Sequence, residues 1–149
     1  MSGYADIEAL WLARVRAISG YSDSNTSRGK WGILNSGASE RYAIVKPGSR
    51  DRQMNSIGGG RLETSQTVIE VWQKYRDDGD TLTTLQTAVD TLLDALDQYP
   101  RLGGLGSTIR QGEIVAVREV MQVPADAPQW LKIELIGETD EETVINYQE

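Results

Sequence analysis

Cysteine and histidine are both absent from this chain of 149 residues. Without cysteine, disulfides and thiolate metal sites are excluded, and the redox compartment is left undetermined. Without histidine, the chain lacks the usual general base near neutral pH, the commonest metal ligand and the partner of Ser-His and Cys-His nucleophile pairs. An enzyme built from this sequence would have to use carboxylates, lysine, tyrosine or backbone groups. We therefore expect no catalytic residue, no cofactor and no metal.

Long apolar runs are missing as well. No segment approaches the roughly 20 apolar residues of a membrane-spanning helix, and the N-terminus lacks the apolar core of a signal peptide. We expect a soluble protein that is cytoplasmic when made and has no membrane partner. The length fits a single domain, residues 1–149, with a sizeable core.

The charge is acidic overall and unevenly distributed. The net charge of −7 argues against general nucleic-acid binding, which usually requires a basic surface. Residues 1–63 carry nine basic and six acidic side chains, so nearly all the acidity lies in residues 64–149. This division would let the basic surface of one copy meet the acidic surface of another. The alternative is two solvated faces of one soluble protein.

The clearest structural signal is an amphipathic helix from Thr81 to Gln98. Asp80 is a suitable N-cap, and Tyr99-Pro100 is a suitable stop because a residue before proline is pushed out of the α region. A second amphipathic helix is predicted from Tyr4 to Ile18. The apolar stripe of the Thr81–Gln98 helix has i, i+3 and i+4 spacing and consists of Leu82, Leu85, Val89, Leu92, Leu93 and Leu96.

Apolar and β-branched segments predict the strands Arg41–Lys46, Thr64–Tyr75, Ile114–Val123, Trp130–Ile136 and Thr143–Tyr147. A kink is expected near Arg118-Glu119. The acidic turn Gly137–Glu142 predicts a hairpin between the last two strands, with its carboxylates at a solvated tip. The predicted fold class is α+β, with a mostly antiparallel or mixed sheet, two helices packed on one face, and long loops.

The first long loop is predicted at residues 19–40, from Ser19 to Glu40. It is rich in serine, glycine and asparagine. A structureless stretch of this length is usually functional or ordered by a partner. Trp31, with Ile33 and Leu34, either folds the loop onto its own core or inserts as an anchor into a neighbouring subunit.

The second long loop is predicted at residues 49–62, after Pro47-Gly48 ends the preceding strand. Arg50, Arg52 and Arg61 form its basic group. These arginines could touch nucleic acid or an acidic patch on a neighbouring subunit, or they could belong to an ordinary solvent-exposed loop. Together with Trp31 and Leu34, they are the candidate residues for a subunit interface or a channel-facing loop.

Three other patterns have simple structural explanations. The Asp77–Asp80 cluster lacks the spacing of a calcium loop and is better explained by helix capping and turn formation. Gly29-Lys30-Trp31 lacks the upstream glycine and following serine or threonine of a phosphate loop. Gly58–Gly60 and Gly103-Gly104 lack the strand-to-helix setting of a dinucleotide site, so flexible loops are the better interpretation.

The segment EVWQKYRDDGDTLTTLQTAVDTLLDALDQYPRLGG resembles the tail terminator proteins of long-tailed bacteriophages, which join the tail to the head. An aromatic-rich strand precedes a helix of the pattern "ldaL…yP.LGG", and a β-rich C-terminal part follows. The similarity of organisation spans Tyr4 to Tyr147, and its most specific piece is Leu92–Gly104. The long Ser19–Glu40 loop departs from the pattern. The resemblance transfers no individual site residue.

This resemblance implies a small α+β subunit without catalytic residues that closes into a homo-hexameric ring. The ring would cap the tail tube and join it to the head or neck, with the tail tube protein and a neck or head-closure protein as partners. Non-specific contact with DNA in the channel is a further expectation. The protein would then lie in the virion tail or neck, and in the host cytoplasm during assembly. The alternatives are a head-closure or head-tail adaptor protein, or a small non-phage ligand-binding or enzyme domain.

Overall fold

The structure, a computed structural model, describes residues 3–54, 60–76, 78–100, 102, 109–120 and 130–144. In chain order its elements are α1 (Tyr4–Arg16), β1 (Thr26–Arg28), the short 3-10 helix η1 (Trp31–Asn35), β2 (Arg41–Met54), β3 (Gly60–Lys74), α2 (Asp78–Asp97), β4 (Ile109–Val120) and β5 (Trp130–Val144). One sheet has the order β1-β2-β3-β5-β4. β1 is parallel to β2, and the other neighbouring strands are antiparallel. The predicted α+β class is confirmed.

Both helices pack on one face of the sheet, which we call the helix face. The apolar sides of both helices supply the helical half of the main core, which confirms the predicted stripe of α2. The buried helical side chains are Ile7, Trp11, Leu12, Val15, Leu85, Val89, Leu92 and Leu96. They meet alternate strand residues Ala43, Val45, Ile69, Val71, Leu131, Ile133 and Leu135. Apolar residues that alternate along the strands therefore pack against apolar residues that recur about every 3.6 positions along the helices, and both sets form one core.

The boundaries of α2 differ from the prediction. The helix begins at Asp78 and ends at Asp97, so Asp80 lies inside the first turn and is not the N-cap. The hydroxyl of Thr81 accepts a hydrogen bond of 3.0 Å from the backbone N–H of Arg76. A buried threonine thus ties the chain that enters the helix to its first turn.

The predicted end of β2 at Pro47-Gly48 is wrong, because β2 continues to Met54. The register shifts between Pro47 and Arg50, so the proline lies at an irregularity where its missing N–H breaks no regular ladder bond. A Cβ at Gly48 would lie 2.8 Å from the backbone oxygen of Gln66, so only glycine allows this close approach. Residues 49–54 and 60–62 of the predicted loop therefore lie in the paired strands β2 and β3, and residues 55–59 lie outside the described residues.

The predicted hairpin at Gly137–Glu142 is also wrong, because β5 is one strand from Trp130 to Val144. Gly137 does not mark a turn. A Cβ there would come within 2.7 Å of the ring of Trp11, whose Nε1–H donates a 2.9 Å hydrogen bond to Thr139 Oγ1. The acidic residues that follow pair with β3, and Glu141 is buried. The strand therefore runs through a segment whose composition favours a turn.

The predicted 19–40 loop contains two elements, β1 and η1. β1 pairs with β2 in parallel register, Thr26 opposite Ala43. The structure therefore differs from the structureless segment expected there. In β4 the register irregularities fall between Ile109 and Gln111 and between Ile114 and Ala116, not at the predicted kink near Arg118-Glu119. Predicted features at residues 58–59, 77, 103–104, 121–123 and 145–147 lie outside the described residues.

Candidate functional site

Two of the three predicted loop arginines lie in β2 and bind one buried carboxylate. Arg50 Nε is 2.7 Å from Glu63 Oε1, and Arg52 Nε is 3.3 Å from Glu63 Oε2. The guanidinium of Arg50 also lies 4.3 Å from the ring centre of Tyr4, in the first turn of α1. Arg50 therefore holds the β2 and β3 strands and the start of α1 together, and Arg52 adds a second contact between the two strands. Arg61 lies in β3, opposite Met54 and Thr143 in the register.

Glu63 is one of two carboxylates buried side by side on the helix face. It lies directly opposite Glu141 of β5, and both residues are buried. Two like charges opposite each other in a sheet are destabilising unless cations compensate them. Arg50 and Arg52 supply that compensation for Glu63, which explains why two arginines surround one carboxylate. The role of these arginines at a subunit interface stays a prediction.

Trp31 and Leu34 lie on the opposite face of the sheet from the helices. Leu34 and Ile33 pack against a small cluster built on Tyr42, Ile44 and Trp72. Trp31 donates a hydrogen bond of 2.6 Å from Nε1 to Glu70 Oε1, although 43% of the residue remains exposed. Of the two interpretations of this segment, the described contacts fit the one in which it folds onto its own sheet.

Glu70 is the centre of a buried charge network on that face. Its exposed fraction is 2%, and its Oε2 lies 3.1 Å from Lys46 Nζ and 3.2 Å from Lys132 Nζ. Glu134 lies 3.6 Å from the first ammonium and 3.9 Å from the second. Lys132 Nζ also lies 5.0 Å from the ring centre of Trp72. Two lysines and two carboxylates thus neutralise one another between β2, β3 and β5.

This network keeps Glu70 ionised. Burial alone would raise the pKa of its carboxyl group, but the hydrogen bonds from Trp31 and Lys46 and the charge of Lys132 outweigh that effect and hold the pKa below its usual value of 4.5. For Lys46, burial lowers the pKa, and the hydrogen bond and charge of Glu70 reverse this and raise it. Both oxygens of Glu70 accept hydrogen bonds from side chains of the same chain. The carboxylate therefore links β2, β3, β5 and the η1 segment.

The sequence contained a signal for this network that the pattern analysis missed. Glu70 interrupts the apolar run of β3, and Lys132 lies between buried Leu131 and Ile133 of β5. A lone charge in the middle of an apolar strand is costly to bury unless a partner compensates it. Charged residues at such positions in two strands therefore predict that the strands are neighbours.

β4 forms one edge of the sheet, and half of that edge is open. Near its start, the N–H of Gly112 donates a 2.6 Å hydrogen bond to the carbonyl oxygen of Pro100, so the chain after α2 covers the outer side. Beyond it, residues 115–119 are exposed, and Val115 and Val117 are each 45% exposed. Within the described ranges, β4 pairs only with β5. We call Val115–Glu119 the open edge.

Exposed valines on a sheet edge are suited to pairing with another chain. Such an edge presents unpaired N–H and C=O groups beside apolar side chains. The bulge between Ile114 and Ala116, with the neighbouring charges Arg118 and Glu119, would limit indiscriminate pairing. The open edge is therefore the best candidate in the described part of the chain for contact with another protein.

Among the described residues, no group of three or more acidic side chains is placed to hold a metal ion. In the same part of the chain, no helix is long and apolar enough to cross a membrane.

No protein-family model matches this chain, and no curated protein matches it. Among solved structures, it is similar to a chain in a structure described as "Virion of native gene transfer agent (GTA) particle". The TM-score is 0.51 at 15% sequence identity, and the alignment covers 96% of this chain and 100% of the other. At this identity the similarity shows that the two chains share a fold over nearly their whole lengths.

Proposed function

We propose that this protein is a structural component of a phage-type virion and acts as a tail terminator. Copies would form a hexameric ring that caps the tail tube and joins it to the head or neck, without catalysis. The observation that carries the proposal is the shared fold, which extends over the full length of a chain found in a gene transfer agent virion. The sequence resemblance between Leu92 and Gly104 supports the finer assignment.

The open edge gives the proposal a physical basis. A ring that ends a growing tube must bind the last subunits of the tube and offer no surface for the next ones. The outer side of β4, which has no partner strand among the described residues, can add to a sheet of the tube protein by main-chain hydrogen bonds. Val115 and Val117 would provide the apolar contact. The covered half of β4, near Gly112, would then limit how far that pairing extends.

The proposed role implies a set of partners. They would be other copies of this chain, the tail tube protein and a neck or head-closure protein, with assembly in the host cytoplasm and a final place in the virion tail or neck. DNA would meet this protein only in the channel and without sequence preference. Arg50 and Arg52 are already engaged with Glu63, which reduces the positive charge that they could offer to phosphates.

The test is electron microscopy of the purified protein mixed with tail tubes. We expect six-fold rings, and we expect them at the head-proximal end of tubes. Val117→Lys puts a charge on the open edge, and Gln111→Lys puts the same charge on the part of β4 near the Pro100 contact. The first variant should reduce tube capping about tenfold or more, since burying an unpaired ammonium against a partner strand is costly. The second should cap tubes as the wild type does.

The results separate the alternatives. Protein that stays monomeric at high concentration and leaves tubes uncapped would contradict the proposal. Binding to DNA-filled heads but not to tails would favour the head-closure or adaptor role instead. Equal capping by Val117→Lys and the wild type would remove the open edge from the mechanism.

A further inference from the structure

A cleft with an excess of positive charge lies between α1, β1 and η1. Its volume is about 650 Å³, and its lining includes the apolar side chains Leu12 and Ile33. Arg16, Arg28 and Lys30 provide three cations, and Asp23 is the single acidic residue in the lining. This cleft is therefore more basic than the protein as a whole, whose net charge is −7. We call it the cationic cleft.

The cations of the cleft are held in place by the fold. Arg16 Nε donates a 2.8 Å hydrogen bond to Thr26 Oγ1 and lies 3.2 Å from Asp23 Oδ1. Arg28 Nε lies 3.4 Å from the buried carboxylate of Glu8, and about half of the Arg28 side chain remains exposed. Each arginine thus has a fixed stem and a solvent-accessible side. Asp23 and Glu8 balance the two arginines, so Lys30 supplies the net positive charge of the cleft. A partner that brings carboxylates would meet side chains that the fold has already ordered, which lowers the ordering cost of binding.

The turn that carries Lys30 is fixed in the same way. Gly29 has a φ of +65°, which favours glycine, and its N–H donates a 2.9 Å hydrogen bond to the carbonyl of Val45. The hydroxyl of Ser27 donates a hydrogen bond of 3.1 Å to the carbonyl of Lys30. The backbone is therefore anchored, while the Lys30 side chain is exposed.

A complementary surface exists on α2 of the same chain. Asp90, Asp94 and Asp97 are exposed and follow the spacing i, i+4, i+7, so they form one stripe on the outer side of the helix. We call it the acidic stripe. No basic residue lies in the last turn of α2, and among the described residues no ion pair involves these three aspartates. Carboxylates at a helix C-terminus oppose the helix dipole, so the stripe costs helix stability within one copy.

We infer that the cationic cleft of one copy receives the acidic stripe of α2 from the next copy. The cleft lies at the β1 end of the sheet, whereas α2 packs over β3, β5 and β4. The two surfaces are therefore different parts of the molecule, and the contact is head-to-tail. Heterologous contacts of this kind close into rings when the rotation permits. The inference rests on the proposed ring and names the residues that would build its subunit contact.

The test uses two charge-reversal variants. Each alone should weaken self-association, and mixing the two should restore it. Lys30→Glu places a carboxylate in the cleft, and Asp94→Lys places an ammonium on the stripe. Each variant alone should self-associate about tenfold more weakly than the wild type at low salt, because like charges then face each other. An equal mixture should recover wild-type association, since an alternating ring pairs the two substituted side chains at one contact and the two native side chains at the next. Sedimentation equilibrium and native mass spectrometry measure these states.

The matched controls are the same charge reversals at exposed residues outside the cleft and the stripe. They are Lys74→Glu, at the end of β3, and Asp51→Lys, in β2. Both should associate as the wild type does. The loss in the Lys30 and Asp94 variants should also shrink near 1 M salt, where the screening length falls to about 3 Å.

The outcomes separate this inference from the proposed function. Wild-type rings that tolerate Lys30→Glu and Asp94→Lys would overturn the cleft-and-stripe contact and leave the terminator proposal intact. Loss of association in both variants without recovery in the mixture would also overturn the pairing. Self-association that behaves as expected, together with failure to cap tail tubes, would support the contact and contradict the terminator function. A wild-type chain that does not self-associate would overturn both.

Discussion

Replacing Glu70 by glutamine tests whether the buried network holds the sheet together. Glutamine keeps the shape of the side chain and an oxygen for the Trp31 N–H, but it removes the charge that binds two ammonium groups. Lys46 is 31% exposed and keeps Glu134 at 3.6 Å, so it can return partly to water. Lys132 is 9% exposed and keeps only the weaker contact to Glu134 at 3.9 Å. Most of the cost therefore falls on Lys132.

The expected loss is about 3 kcal/mol in the free energy of unfolding at pH 7. Breaking a buried ion pair by removing one partner typically costs about 3–5 kcal/mol, and the remaining Glu134 places this case at the lower end. Urea unfolding measures the loss, because guanidinium salts would screen the interaction. Glu134→Gln is the control and should cost less than about 1 kcal/mol, since Glu134 is only partly buried and Glu70 remains beside both lysines. A loss below about 1 kcal/mol for Glu70→Gln would refute the reasoning.

The same variant has a defined pH dependence. The pKa of Glu70 is lower in the folded protein than its usual value of 4.5, so its stabilising contribution is present in full above that value. The contribution is lost as the pH falls through the folded pKa. The stability difference between the wild type and Glu70→Gln should therefore be constant near neutral pH and shrink below 4.5. A difference that stays constant through the acid range would contradict the assignment of an ionised Glu70.

Two further substitutions test other contacts by urea unfolding. Gly137→Ala should destabilise by about 2 kcal/mol, because the new Cβ would meet the ring of buried Trp11 at 2.7 Å, whereas Gly79→Ala has nothing within 4 Å and should be neutral or slightly stabilising. Equal effects of the two would contradict the close packing of helix and strand. Glu63→Gln should cost about 2 kcal/mol, because Arg50 loses a 2.7 Å charged contact and is only 16% exposed. An unchanged midpoint would mean that Arg50 finds another partner.

The helices and the main core could be predicted because their signal is local. In α2, Leu85, Val89, Leu92 and Leu96 repeat with the helical period, and this repeat alone identifies the buried side. Leu131, Ile133 and Leu135 alternate along the predicted strand Trp130–Ile136, and all three lie in the main core. These patterns need no knowledge of the partner element, because any apolar neighbour satisfies them.

The long strands could not be predicted because their stability depends on distant residues. Gly137 and the acidic residues after it have the composition of a turn, yet Trp11 needs the glycine and β3 provides the pairing. Pro47-Gly48 likewise has the composition of a strand end, and a bulge accommodates it within β2. In each case tertiary contact overrides the local preference.

The sequence identified several residues of the candidate site but not the residues that they contact. Arg50 and Arg52 were recognised as a basic group, but their partner Glu63 becomes a neighbour only through the β2–β3 register. For Trp31, both a self-contact and an anchor were compatible with the sequence. The choice depends on Glu70, 39 residues further along the chain. Charge pairing across strands is set by register, which no single-segment pattern contains.

The length of the strands explains why the sheet needs buried charges at all. β3 has 15 residues and extends about 50 Å, whereas α1 with 13 residues and α2 with 20 residues extend only about 20 Å and about 30 Å. Neither helix can cover the full length of the strands with apolar side chains. Beyond the apolar core, β3 and β5 bury polar groups on the helix face: Glu63, Ser65, Thr67, Thr139 and Glu141. Hydrogen bonds and the Arg50–Glu63 ion pair hold the strands together there. A polar half of this kind stays aligned without a large apolar surface. The exposed valines of β4 then remain available for apolar contact with another chain.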